Sequence, residues 1–131
     1  MKRDKNNSPH YTWGAQCDGW HLLQSENLSV IQERMPPDSS ETRHYHETSM
    51  QLFFVLSGQL SIEIDEKLSV LYAHESVEVP ARSKHRVWNE SHDNVEFLVI
   101  SQPTTRNDRV NLTEAHRLEI PLVNKTFVPK I

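Results

Sequence analysis

A chain of 131 residues and 15.3 kDa has room for one domain and little more. Its formal charge is −4, from 14 Lys and Arg against 18 Asp and Glu, and the basic residues are scattered, so the positive surface that nucleic acid or an anionic membrane requires is missing. Val (11), Ile (6) and Leu (12) far outnumber Ala (4), which suits strands and disfavours an Ala-rich helical bundle.

Residues 1–10 carry charged and turn-forming side chains with no aliphatic ones behind Met1, which predicts a flexible arm ahead of one domain over 11–131. No apolar signal region follows the first charges and no window approaches a membrane span, so a cytoplasmic location is expected. The single cysteine, Cys17, agrees with a reducing compartment. Residues 28–35 read as a strand that stops at Pro36-Pro37, and 52–56 as a strand apolar on both faces and ended by Gly58. Leu60, Ile62 and Ile64 alternate with Ser61, Glu63 and Asp65, the pattern of a half-buried strand. Short strands follow over 68–72, 76–79, 85–89 and 95–101, and this close spacing means an all-β sandwich or barrel. Thr113 to Glu119 could form one short helix capped by Thr113.

His44 and His46 stand two apart, so on a strand they project to one face and can share an ion. The order around them carries more information: His44-x-His46-x4-Gln51-x6-Gly58, then His74-x5-Pro80-x-Arg82-x2-His85-x3-Asn89. This resembles the two motifs of the cupin superfamily, G-x5-H-x-H-x3,4-E-x6-G and G-x5-P-x-G-x2-H-x3-N, with the motif core spanning 44–89. Asp38, His74 and Arg82 stand where the motifs have glycine, and Gln51 stands where they have the metal-binding glutamate.

The resemblance implies a cupin jelly roll, a double-stranded β-helix barrel, with a divalent transition metal (Zn, Fe, Mn, Ni or Cu) held by His44, His46, Gln51 and His85. Glutamine also serves as a ligand in cupins such as the zinc phosphomannose isomerases. Without the glutamate charge the centre would be +2 rather than +1, a weaker site but a stronger Lewis acid. The expected function is a metal-binding cupin acting on a small organic molecule in the barrel cavity, oxygenase- or isomerase-like; the contrasting reading is a non-catalytic sugar- or metabolite-binding cupin with a weak or empty metal site. A homodimer is expected, with residues 11–35 as its surface. Glu47 is expected to face outward, Arg82, Lys84 and Arg86 to form a solvated rim, and Asp108-Arg109 a loop ion pair.

Overall fold

The structure is a computed structural model and describes residues 1–112; the helix expected over 113–119 lies outside them. The described residues form twelve strands and no helix: β1 (His10–Trp13), β2 (Cys17–Gln24), β3 (Ser29–Met35), β4 (Ser39–Ser40), β5 (His44–Tyr45), β6 (Met50–Ser57), β7 (Leu60–Ile64), β8 (Lys67–Leu71), β9 (Ser76–Val79), β10 (His85–Asn89), β11 (Val95–Gln102) and β12 (Val110–Asn111). They make two antiparallel sheets, ordered β1-β2-β3-β11-β6-β9 and β12-β5-β10-β7-β8, with β4 also paired to β10. This is a jelly roll. No helix among the described residues is long and apolar enough to cross a membrane.

Strand parity decides what lies between the sheets. Phe53 and Val55 of β6 face Val99 and Phe97 of β11. Leu60, Ile62 and Val87 of the second sheet are fully buried, and together these side chains make the core. Near the N-terminus, Lys5 lies over the Trp20 ring and 2.6 Å from Glu96 Oε1.

Two details differ from the sequence expectation. β7 is buried on both faces, and Glu63, expected toward solvent, is fully buried. Arg43 lies 3.2 Å from its carboxylate and Arg86 3.8 Å, neutralising a charge that burial alone would make costly. Arg86 is accordingly buried against the Trp88 ring instead of joining a solvated rim. The replaced glycines keep their backbone shape as well. Asp38, His74 and Arg82 adopt φ of 65°, 70° and 70°, left-handed values that cost non-glycine residues roughly 1–2 kcal/mol each. The Arg82 turn earns its place by donating its backbone N–H to the carbonyl of His46 at 2.7 Å.

Candidate metal centre

His44 of β5 and His85 of β10 are directly opposed cross-strand partners, which brings their rings to 4.3 Å between centroids. His46 lies just past the end of β5, not within a strand, and is carried back toward them by the Arg82 bond and by Asp108. One ring nitrogen from each histidine lies within 4.8 Å of the others, close enough for one ion to bridge. All three side chains are buried.

Their hydrogen bonds set the tautomer. The Nδ1 atoms face backbone carbonyls: Thr42 O at 2.8 Å for His44, Ser83 O at 2.9 Å for His85, and Asp108 O for His46. A carbonyl only accepts, so Nδ1 carries the proton and Nε2 presents its lone pair. His46 Nε2 and His85 Nε2 are buried without any hydrogen-bond partner. Gln51, on β6, donates its amide to Ser101 Oγ at 3.1 Å and leaves Oε1 buried and unpartnered too. Orphaned buried acceptors are costly in an otherwise satisfied interior. Imidazole nitrogens and an amide oxygen together are a donor set that a divalent transition ion would satisfy.

Burial, the His85 and Arg109 charges and, more weakly, His46 push His44 down to about 2, against the pull of the Thr42 carbonyl. Burial likewise lowers His85 to about 4 and depresses His46. The cluster is therefore held neutral, the form that ligates.

Asp108 proves more important than a loop ion pair. Its carboxylate accepts the backbone N–H groups of Glu47 (2.7 Å), Thr48 (3.1 Å) and Ser49 (3.0 Å) and the Thr48 hydroxyl (2.8 Å). It thus ties down the turn after His46 while its carbonyl orients the ring. Glu47 is exposed, as its parity predicts, and 3.9 Å from Arg82. Phe53, Val55 and Phe97 belong to the core, and Met50 is 40% exposed.

A cleft of about 1140 Å³ is lined by neighbours of His46 but not by His44, His46 or His85 themselves. Its lining includes Glu47, Thr48 and Asp108, the neighbours of His46, together with His21 and Ile31. Sequence reasoning passed over the acids nearby. Tyr11 Oη donates to Glu33 Oε2 at 2.7 Å, and Glu41 Oε1 stands 3.9 Å from His44 Nδ1 and accepts the Val87 N–H at 3.2 Å. Burial pushes Glu33 up to about 7 and Glu41 up to about 8, with Arg109 pulling both back. A visible signal existed for Glu33: it shares the inward face of its strand with Ser29, Ile31 and Met35, where an acid is out of place.

A family model described as a cupin domain matches residues 31–101, more than half of the chain. Solved structures share the fold. A cupin-2 domain protein from Rhodospirillum rubrum superposes with a TM-score of 0.78 at 13% identity, covering 91% of this chain and 84% of that one. A sugar phosphate isomerase of the cupin superfamily from Silicibacter pomeroyi gives 0.69 at 20%, covering 79% and 76%. The polyketide cyclase RemF from Streptomyces resistomycificus gives 0.71 at 16%, covering 87% and 88%. No protein of curated function matches the sequence.

The lowered histidines and raised acids act on stability with opposite signs. A depressed folded pKa leaves the histidine contribution intact above the unfolded value near 6.5 and removes it as pH falls through the folded value. Glu33 and Glu41 instead contribute stability at acid pH that is lost as pH rises through about 7 and 8. Differences isolate one group. In metal-free protein, the stability of wild type minus that of His85→Gln, measured by urea unfolding, is expected to fall by about 3 kcal/mol between pH 6.5 and 4. A difference that stays flat across this window contradicts a buried neutral His85.

Proposed function

The chain belongs to the cupin family, and on that premise we propose that it is a metal-dependent enzyme acting on a small organic molecule in the barrel cavity, oxygenase- or isomerase-like, with His44, His46, His85 and Gln51 as its ligands. The observation that carries this reading is the shared orientation of the three imidazoles, with Nδ1 of each spent on a backbone carbonyl and Nε2 of His46 and His85 buried without a partner. A structural cluster of histidines would instead spend both nitrogens on the protein.

A bound divalent ion would supply Lewis acidity toward a carbonyl, phosphoryl or enol oxygen. The chain's own residues do the rest. Thr42, Ser83 and Asp108 hold the rings in one tautomer, and Ser101 turns the Gln51 amide so that its oxygen is the free end. With no carboxylate in the ligand set the centre keeps its full charge, which weakens retention and strengthens attraction for an anionic substrate. A sugar phosphate isomerase and a polyketide cyclase share the fold, which supports a small organic substrate.

Competition against a chromophoric zinc chelator tests the ligand set. Wild type is expected to take up one ion, and His44→Ala, His46→Ala or His85→Ala to lose it. Gln51→Glu, nearly isosteric and adding a negative charge, is expected to tighten binding by about 10-fold or more. Unchanged affinity together with a lowered melting temperature in Gln51→Glu would remove Gln51 from the site, since a buried unpaired carboxylate destabilises without a metal to neutralise it.

We also propose a homodimer through residues 11–35. β1 ends its sheet, and Leu23 and Leu28 in this segment are 44% and 37% exposed, leaving an edge and apolar surface for a second copy to cover. Light scattering at micromolar concentration is expected to give twice the chain mass; a monomer contradicts the assignment.

A further inference from the structure

The lining of the cleft is held in place by its own hydrogen bonds. The segment from Pro103 to Asp108 is tied at both ends to other parts of the chain. Thr104 N–H donates to the Glu26 carbonyl at 3.0 Å, and the Pro103 carbonyl accepts the Ser49 hydroxyl at 2.6 Å. Within the segment, Asp108 N–H donates to the Thr105 carbonyl at 2.8 Å, while the Asp108 carboxylate carries the turn through Glu47, Thr48 and Ser49. A lining fixed in advance loses little ordering entropy when a ligand arrives.

Ser29 lines this cleft at a point where the inward face of the first sheet changes from apolar to polar. Ile31, Val99 and Phe53 make one cross-strand row of that face, and two residues along, Ser29, Ser101 and Gln51 make the next. The Ser101 hydroxyl is spent, since it accepts the Gln51 amide at 3.1 Å. The Ser29 hydroxyl is not: the residue is 5% exposed and its Oγ is buried without a hydrogen-bond partner. An unspent buried hydroxyl is unfavourable until a partner reaches it. This one sits on a single rotatable bond, so it can turn toward a group held in the cleft.

Charge and polarity of the remaining lining select the kind of ligand. Glu26, Glu47 and Asp108 set three carboxylates against the single guanidinium of Arg106, which disfavours an anion. Among the described residues only Ile31 and Pro103 of the lining are apolar, so a hydrophobic ligand would strand the polar groups around it. Gln24, Thr105 and Asn107 bring amide and hydroxyl groups that both donate and accept, as the neighbouring hydroxyls of a sugar require. His21 and Ile31, directly opposed across β2 and β3, offer a ring and an aliphatic side chain to the C–H face of such a molecule. We propose that the cleft is a binding site for an uncharged carbohydrate of one or two rings, with Ser29 hydrogen-bonded to one of its hydroxyls. The volume of about 1140 Å³ suits that size, lying just above the roughly 300–1,000 Å³ usual for small-molecule sites. None of the three histidines lines the cleft, so its occupancy does not depend on a metal.

The test titrates isotopically labelled full-length protein, with and without zinc, with glucose, mannose, galactose, maltose, cellobiose and lactose, and follows backbone amide shifts by NMR. At least one of the six is expected to shift the Ser29, Ile31 and Thr105 amides saturably whether or not zinc is present, and glucuronate to shift them less. Ser29→Ala is expected to weaken that binding about 10-fold. Its melting temperature is expected to stay the same or rise, because the hydroxyl removed had no partner. No saturable shift with any of the six sugars overturns the proposal, and so does equal affinity in Ser29→Ala or a lowered melting temperature in that variant. Shifts that require zinc and fall only around His44, His46 and His85 would place the sugar at the metal centre and overturn the cleft as its site.

Discussion

Three imidazoles buried in their neutral form, each with one nitrogen committed to a backbone carbonyl, are the constraint around which the rest of this barrel is arranged. Water would satisfy both nitrogens of an exposed histidine; here the interior satisfies only Nδ1 and leaves Nε2 of His46 and His85 without a partner. Such an arrangement is unfavourable for an apoprotein by the desolvation cost of each unpaired group, about 1–3 kcal/mol. The fold tolerates it because the donors of those carbonyls belong to segments fixed by other means. Thr42 and Ser83 lie two residues before their histidines, just ahead of the paired strands β5 and β10, while Asp108 reaches in from a distant loop.

That dependence explains several features that otherwise look incidental. Asp108 accepts four hydrogen bonds from Glu47, Thr48 and Ser49 and thereby fixes the chain on the far side of His46. Burial works against its charge, yet the bonds from Thr48, Glu47 and Ser49 hold its carboxyl below the ordinary range. Arg82 keeps a left-handed backbone without being glycine, and its N–H closes onto the His46 carbonyl. Both restraints act on the one histidine of the three that no strand holds. Rigidity of this kind, imposed on the residues behind the three histidines, is what a three-nitrogen metal site would require.

Much of this architecture was legible in the sequence, and the reasons are local. Period-2 alternation marks β7, and the boundaries of β9 and β10 fall where Pro80 and the Asn89 turn require. The likeness to the cupin motifs conveys the grouping of His44, His46 and His85, two of which face each other across the pairing of β5 with β10. What local pattern could not convey is what covers a face from outside or reaches in from afar. Glu63 looked solvent-facing because Arg43, its counter-charge, comes from a different strand connection 20 residues earlier. Asp108 is 62 residues from the ring it orients. The partnership of Tyr11 with Glu33 depends on Gly19 lying between them in space, although in sequence the three show no spacing that suggests contact.

A metal centre here requires that the lone pairs of His44, His46 and His85 converge on a common point. X-ray absorption at the metal edge, on zinc-loaded protein, measures this without reference to any substrate. Three imidazole nitrogens are expected at about 2.0–2.1 Å, with one or more oxygen donors completing the shell. Zinc surrounded by oxygen alone, or bound by a single imidazole as at an exposed surface histidine, would contradict it.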